Sequence, residues 1–159
     1  MKKLSSIALA TISAISLCCP MAHGAETKGA EMSLTIADNG SCSMPQQEKD
    51  GILAAINRYL QAAREGSRKT AEKAFSKNAT MSWRENGKLN SVPIEALYAY
   101  FDEKKRPASG EISACSVAGD VAMVRLESDF DGTKFSDMFA LVKDGDEWKI
   151  VSKVYHVKN

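Results

Sequence analysis

From Phe135 to Val157 the chain reads as two arms rich in aromatic and β-branched residues, joined by Lys143-Asp144-Gly145-Asp146. An Asp-Gly pair accepts the positive φ angles of a tight reversal, which commits this stretch to a β-hairpin. On the first arm Phe135, Asp137, Phe139 and Leu141 share one face at period two. On the second arm Trp148, Ile150, Ser152, Val154 and His156 do the same. A hairpin with so apolar a face needs a core to cover it. Asp137 is the anomaly, a carboxylate among aromatic residues on the expected inner face.

The rest of the chain supplies that cover. Ile52, Ala55, Ile56, Tyr59, Leu60 and Ala63 recur at helical spacing and predict an amphipathic helix, with Ser43 as its cap, Pro45 in its first turn and Gly66 at its end. Ser67 is expected to cap a short second helix running through Phe75. Asn78 to Arg84, the turn Asn86-Gly87 and Lys88 to Ser91 predict a hairpin. A third helix is expected from about Pro93 to Lys104, with Ile94, Leu97, Tyr98 and Phe101 on one stripe. Strands over Glu111–Val117, Val121–Phe130, Thr133–Val142 and Glu147–Val157 then form a four-stranded meander. Antiparallel strands with helices gathered on one face make an α+β domain, in which the helices close one side of a cone and leave a mouth where a ligand can enter.

The 159 residues carry 21 basic and 20 acidic side chains, so no basic field points to nucleic acid. Lys2 and Lys3, the uncharged apolar run Leu4–Leu17 and the small residues of Ala22-His23-Gly24 form the pattern of an export signal over residues 1–24. The run is too short to span a bilayer. The expected mature protein lies in the periplasm or outside the cell, with no membrane attachment. It begins with a flexible polar tail over residues 25–44, followed by one domain over 45–159. Its two cysteines, Cys42 and Cys115, are candidates for one disulfide in an oxidising compartment. No metal-ligand spacing, phosphate loop, nucleophile elbow or Cys/His pair with a third member occurs, so neither metal nor cofactor is expected.

Three segments carry a resemblance. Ile56-Asn57-Arg58-Tyr59-Leu60-Gln61-Ala62-Ala63-Arg64-Glu65-Gly66 is similar to the opening of nuclear-transport-factor-2-like (NTF2-like) domains, and so is Ala74-Phe75-Ser76-Lys77-Asn78-Ala79-Thr80-Met81. The ending from Phe135 to Tyr155 resembles a bacterial, SnoaL-like branch of that superfamily known as putative lumazine-binding. The resemblance spans residues 45 to 157. It implies a cone-shaped, curved antiparallel sheet packed on three N-terminal helices, the roll shared with cystatins and ketosteroid isomerases, and a homodimer formed through the sheet. Ketosteroid isomerases pair a tyrosine with a protonated aspartate as an oxyanion hole and use a second aspartate as base. By motif, Tyr59 matches that tyrosine and Asp137 the protonated aspartate. The base position falls on Ser82 or Trp83, neither of which can abstract a carbon-bound proton.

The leading expectation is therefore an exported domain that binds a small apolar or aromatic molecule between the first helix, the third helix and the C-terminal hairpin. Tyr59 and Asp137 would anchor a polar group, and Trp83, Phe135 and Phe139 would contact rings. Tyr98, Tyr100 and Phe101 are candidates to rim the mouth, although Leu97 and Phe101 more plainly pack on the sheet, and His156 lies near the mouth at the strand end. The bland alternatives stand beside these roles. Tyr59 can be a core residue. Trp83 can plug the cone. Asp137 can be paired with Tyr59, a strand-edge amide or a lysine such as Lys153, where burial alone would disfavour its charge. Two other functions compete: an isomerase or lyase acting beside a carbonyl through Tyr59 and Asp137, with His156 or Glu95 as base, and a non-catalytic dimeric structural or partner-binding module.

Overall fold

The computed structural model describes residues 34–37 and 43–158. The export signal, Cys42 and most of the tail lie outside the described residues. The first helix, α1, spans Gln46–Glu65 and buries Ile52, Ala55, Ile56, Tyr59, Leu60, Ala62 and Ala63, the stripe its spacing predicts. Ser43 does not cap it. The helix opens after Pro45, whose carbonyl accepts from the amides of Glu48 (3.0 Å) and Lys49 (3.1 Å). Gly66, at φ 64°, ends it in the left-handed conformation that glycine adopts at no steric cost. Ser67 does cap α2 (Arg68–Ala74), its hydroxyl accepting from the Thr70 amide at 3.1 Å.

Phe75 belongs to a strand rather than to α2, because its backbone is already extended. It opens β2 (Phe75–Glu85), which turns at Asn86-Gly87 into β3 (Lys88–Pro93). The third helix is shorter than expected: α3 is a single turn, Glu95–Tyr98. Hydrogen bonds to the end of α1 compete with its continuation. The Glu103 amide donates to Gly66 O and the Arg106 amide to Ala63 O, both at 2.9 Å, and Glu103 itself takes a positive φ of 67°.

The meander is β4 (Ala108–Ala118), β5 (Val121–Phe130), β6 (Thr133–Asp144) and β7 (Glu147–Val157), antiparallel throughout. Leu34–Ile36, within the expected mobile tail, forms β1 against β4. The open sheet has the order β1-β4-β5-β6-β7-β2-β3, so the fold is α+β as expected. The sheet is mixed rather than wholly antiparallel, because β1 runs parallel to β4 and β2 parallel to β7.

α1 packs across β4 and β7. At the hairpin turn, Glu48 accepts from Lys143 Nζ (3.1 Å) and from Trp148 Nε1 (2.9 Å), which fastens both arms to the first turn of the helix. Trp148 is buried, and a Cβ on Gly51 would lie 2.6 Å from its Cδ1, so the helix approaches the indole closely only because residue 51 is glycine. On the other face of the sheet, Glu127 of β5 accepts from Arg125 Nε (2.6 Å) and Ser136 Oγ (2.7 Å) and pairs with Lys158 beyond β7. Burial alone would raise its pKa, but these donors together hold it at about 2.

Candidate functional site

The inner face of the hairpin differs from simple alternation in one arm. β6 keeps period two, turning Phe135, Asp137, Phe139 and Leu141 inward. In β7 the pairing steps from Leu141↔Ile150 to Ala140↔Ser152, leaving Val151 as an extra residue. This is a β-bulge, and it reverses every side chain beyond it. Lys153 is buried and Tyr155 half-buried, while Val154 and His156, expected inside, are exposed. The bulge thus delivers a lysine to the core diagonally across from Asp137, which pairs directly with Tyr155.

Asp137 is fully buried and Lys153 is 3% exposed. Lys153 Nζ donates to Asp137 Oδ1, and Ser128 Oγ of β5 donates to Oδ2 at 2.7 Å. The acid is therefore an ion-paired carboxylate with both oxygens engaged, one of the arrangements open from the sequence. Rings surround the ammonium: Nζ lies 4.6 Å from the ring centroid of Tyr155, 5.3 Å from Tyr59, 5.5 Å from Phe139 and 6.0 Å from Phe135. Such rings present negative faces to a cation. Burial pulls the Lys153 pKa below its ordinary value, opposed by the charge and hydrogen bond of Asp137.

A cavity of about 220 Å³ adjoins this pair. Tyr59 of α1, Met81 of β2, Phe130 of β5, Phe135 of β6 and Lys153 and Tyr155 of β7 form its walls. Ala96, Leu97, Tyr100 and Phe101 close it from α3 and the segment after it. Ala96 and Tyr100 are exposed and mark the mouth, and buried Lys153 marks the deep end. Burial raises the pKa of Tyr59, Tyr100 and Tyr155, most strongly Tyr59, where the negative charge of Asp137 adds to the effect. All three are neutral phenols at physiological pH. The lining holds no carboxylate and no histidine. It can receive one or two apolar rings and offer an ammonium to an oxygen or nitrogen acceptor. A benzene-sized guest needs roughly 150 Å³.

The expected site residues divide. Tyr59 and Phe135 line the cavity. Asp137 and Phe139 lie behind its wall, the first holding Lys153 and the second packing edge-on against Tyr59 at 5.5 Å. Trp83 neither floors nor plugs the cavity; it stacks on Tyr155 with centroids 5.7 Å apart. Tyr98 is buried away from the mouth, against Phe75 (6.4 Å) and the Arg68 guanidinium (5.5 Å), and its phenol is pushed up to about 12 by burial and by Glu72 and Glu95. His156 is exposed on the outer face. Ser82 bonds to Ser91 on the exposed hairpin, and Glu95 is exposed. Met81, Ser128, Phe130 and Tyr155 were missed from the sequence, and Lys153 was foreseen only as a partner for Asp137. The available signal was the spacing Lys153-x-Tyr155, an inward pair once one residue of β7 is bulged. Cys115 is disulfide-bonded, and its expected partner Cys42 lies outside the described residues.

Residues 47–156 match the model of a family described as putative lumazine-binding. Among solved structures, the chain is similar to an NTF2-like protein of unknown function from Shewanella baltica OS155, with 28% identity, a TM-score of 0.67 and coverage of 74% of this chain and 98% of that one. It is also similar to an NTF2-like protein of unknown function from Methylobacillus flagellatus KT, with 33% identity, a TM-score of 0.65 and coverage of 75% and 98%. A relative of assigned activity, the aldolase FrzH of Cladobotryum sp, is 25% identical over 113 residues, with coverage of 69% of this chain and 90% of that protein.

Proposed function

Because the chain belongs to the putative lumazine-binding family of NTF2-like proteins, we propose that it is an exported domain that binds a small, largely apolar ring compound bearing an oxygen or nitrogen acceptor. The observation that carries this reading is the aromatic cavity with a single ammonium, Lys153, at its deep end. Rings of the guest stack among Tyr59, Phe135 and Tyr155, and Lys153 donates to the acceptor while Asp137 balances its charge. Asp137 thus anchors the guest through Lys153 rather than by direct contact.

A thermal-shift panel of one- and two-ring carbonyl and phenol compounds, lumazine among them, tests this reading. A compound at 100 times its Kd stabilises the folded state by about 2.7 kcal/mol, which is several degrees in Tm. The shift is expected to disappear in Leu97→Trp, which fills the cavity. The absence of a saturable shift with every compound would overturn the reading.

Export rests on the residue 1–24 pattern, and dimerisation on the exposed outer face of the sheet, where Val121, Met123, Met138, Val142 and Val154 leave an apolar surface. Protein recovered from a periplasmic fraction addresses both. Its intact mass is expected to begin near Ala25, and its sedimentation to give twice the chain mass. A retained leader or a monomer would remove the corresponding part of the proposal.

A second reading, chemistry beside a carbonyl, is favoured by the Lys153–Asp137 pair adjoining the cavity in a chain similar to the aldolase FrzH. In this reading Lys153 takes the place first given to Asp137, because the Asp137 oxygens are already occupied by Lys153 and Ser128.

A further inference from the structure

We infer that the cavity takes aldehydes and ketones covalently, with Lys153 Nζ forming an imine to a carbonyl carbon held between Tyr59, Phe135 and Tyr155, and Asp137 carrying the protons. This rests on the reading that small carbonyl compounds enter this cavity. The buried lysine is the one nitrogen nucleophile in the cavity lining. Its neighbour through Oδ1 is a carboxylate that cannot reach solvent, so a proton leaving Nζ has an acceptor at hydrogen-bond distance. Ser128 Oγ holds the other oxygen and fixes the carboxylate while Oδ1 shuttles the proton.

The step balances within these groups. The ammonium gives a proton to Asp137, and the freed lone pair attacks the carbonyl carbon. The carbonyl π pair moves to oxygen, which takes that proton to give a carbinolamine. Asp137 then removes a second proton from nitrogen and delivers it to the hydroxyl. The C–O bond breaks, water leaves, and the nitrogen lone pair closes C=N. The product is a protonated imine beside a carboxylate. One cation still faces one anion, so no uncompensated charge is created in the buried site. No oxidant, reductant or metal is consumed.

The surroundings favour both ends of this sequence. Desolvation lowers the pKa of Lys153 and enlarges the fraction of neutral amine, the recognised way in which an apolar pocket activates lysine. The four rings within 6.0 Å of Nζ stabilise the delocalised cation of the imine. Lysines exposed on the surface have neither advantage and remain ammonium ions at neutral pH.

The test uses the mature protein with benzaldehyde and sodium cyanoborohydride at neutral pH, followed by intact-mass and peptide-mass measurement. One benzyl group per chain is expected, on Lys153, ahead of modification at any other lysine. The adduct is expected to be lost in Leu97→Trp, where Lys153 remains but the cavity is filled, and in Lys153→Arg, which keeps the charge opposite Asp137. Thermal shifts with benzaldehyde in the absence of the hydride run in parallel. Benzyl groups scattered over surface lysines and absent from Lys153, with a saturable thermal shift retained, would overturn the imine and leave the binding reading standing. Neither adduct nor shift would overturn both.

Discussion

A carboxylate and an ammonium withdrawn from water each cost several kcal/mol, and only close mutual contact offsets that loss. Asp137 and Lys153 meet that condition, at 0% and 3% side-chain exposure. Removing one partner strands the other. Asp137→Ala and Lys153→Met are each expected to lower the unfolding free energy by about 3–5 kcal/mol, measured by urea denaturation. The double replacement Asp137→Leu with Lys153→Met is expected to lie closer to the wild type than either single variant, because apolar pairs of similar volume often replace buried ion pairs without loss. If the double variant shows the sum of the single losses, the pair does not act as a unit. At this scale the sequence was half legible. Asp137 stood out because an acid on an apolar face violates the alternation. Lys153 entered only as one possible partner for Asp137, because unbroken alternation in β7 places it on the opposite face.

At the scale of elements, the α1 stripe, the Gly66 stop and the turns at Asn86-Gly87 and Asp144-Gly145 were readable because each is local, set by residues at most four apart. Two elements were not. α3 stops after one turn because backbone bonds to Ala63 and Gly66 take over, and no pattern within residues 93–104 encodes partners at the far end of α1. The β7 bulge is equally silent, since one extra residue leaves composition and propensity unchanged. Deleting Val151 removes the extra residue, so that Ser152 follows Ile150 directly, remains opposite Ala140 and leaves Lys153 facing inward beside Asp137. The deletion is therefore expected to cost well under the roughly 3–5 kcal/mol of a broken buried pair. One glycine inserted beside Gly145 in the exposed turn costs under about 1 kcal/mol. Tm values for these two variants and for Lys153→Met check this, and a deletion as costly as Lys153→Met would mean that the strand cannot close up without displacing Lys153.

For the molecule as a whole, the Glu127 cluster joins β5, β6 and the residue after β7 on the outer face. Its folded pKa of about 2 lies below the ordinary value of 4.5. The stabilisation is therefore present above pH 4.5 and is lost as the pH falls through 2. Because the group is partly solvated, its size is held to about 1 kcal/mol. The Tm gap between wild type and Glu127→Gln is expected to be constant near neutrality, to narrow below pH 4.5 and to close near pH 2. A gap independent of pH would remove Glu127 from the account. The meander and the α+β class were legible at this scale because successive strands are joined by short turns. The parallel seam between β2 and β7 was not, because its strands lie some 70 residues apart and no turn connects them.

That seam sets an order of events in the making of the protein. β7 is translated after the other described strands, yet it lies inside the sheet, with β6 on one side and β2 on the other. It is the strand through which the β2–β3 ribbon is hydrogen-bonded to the rest of the sheet. A nascent chain that has not yet reached β7 holds two separate pieces of sheet, each with a bare edge, and the aromatic chamber has no Lys153 or Tyr155. Assembly of the sheet and completion of its chemistry therefore coincide, and both wait for β7 to leave the ribosome.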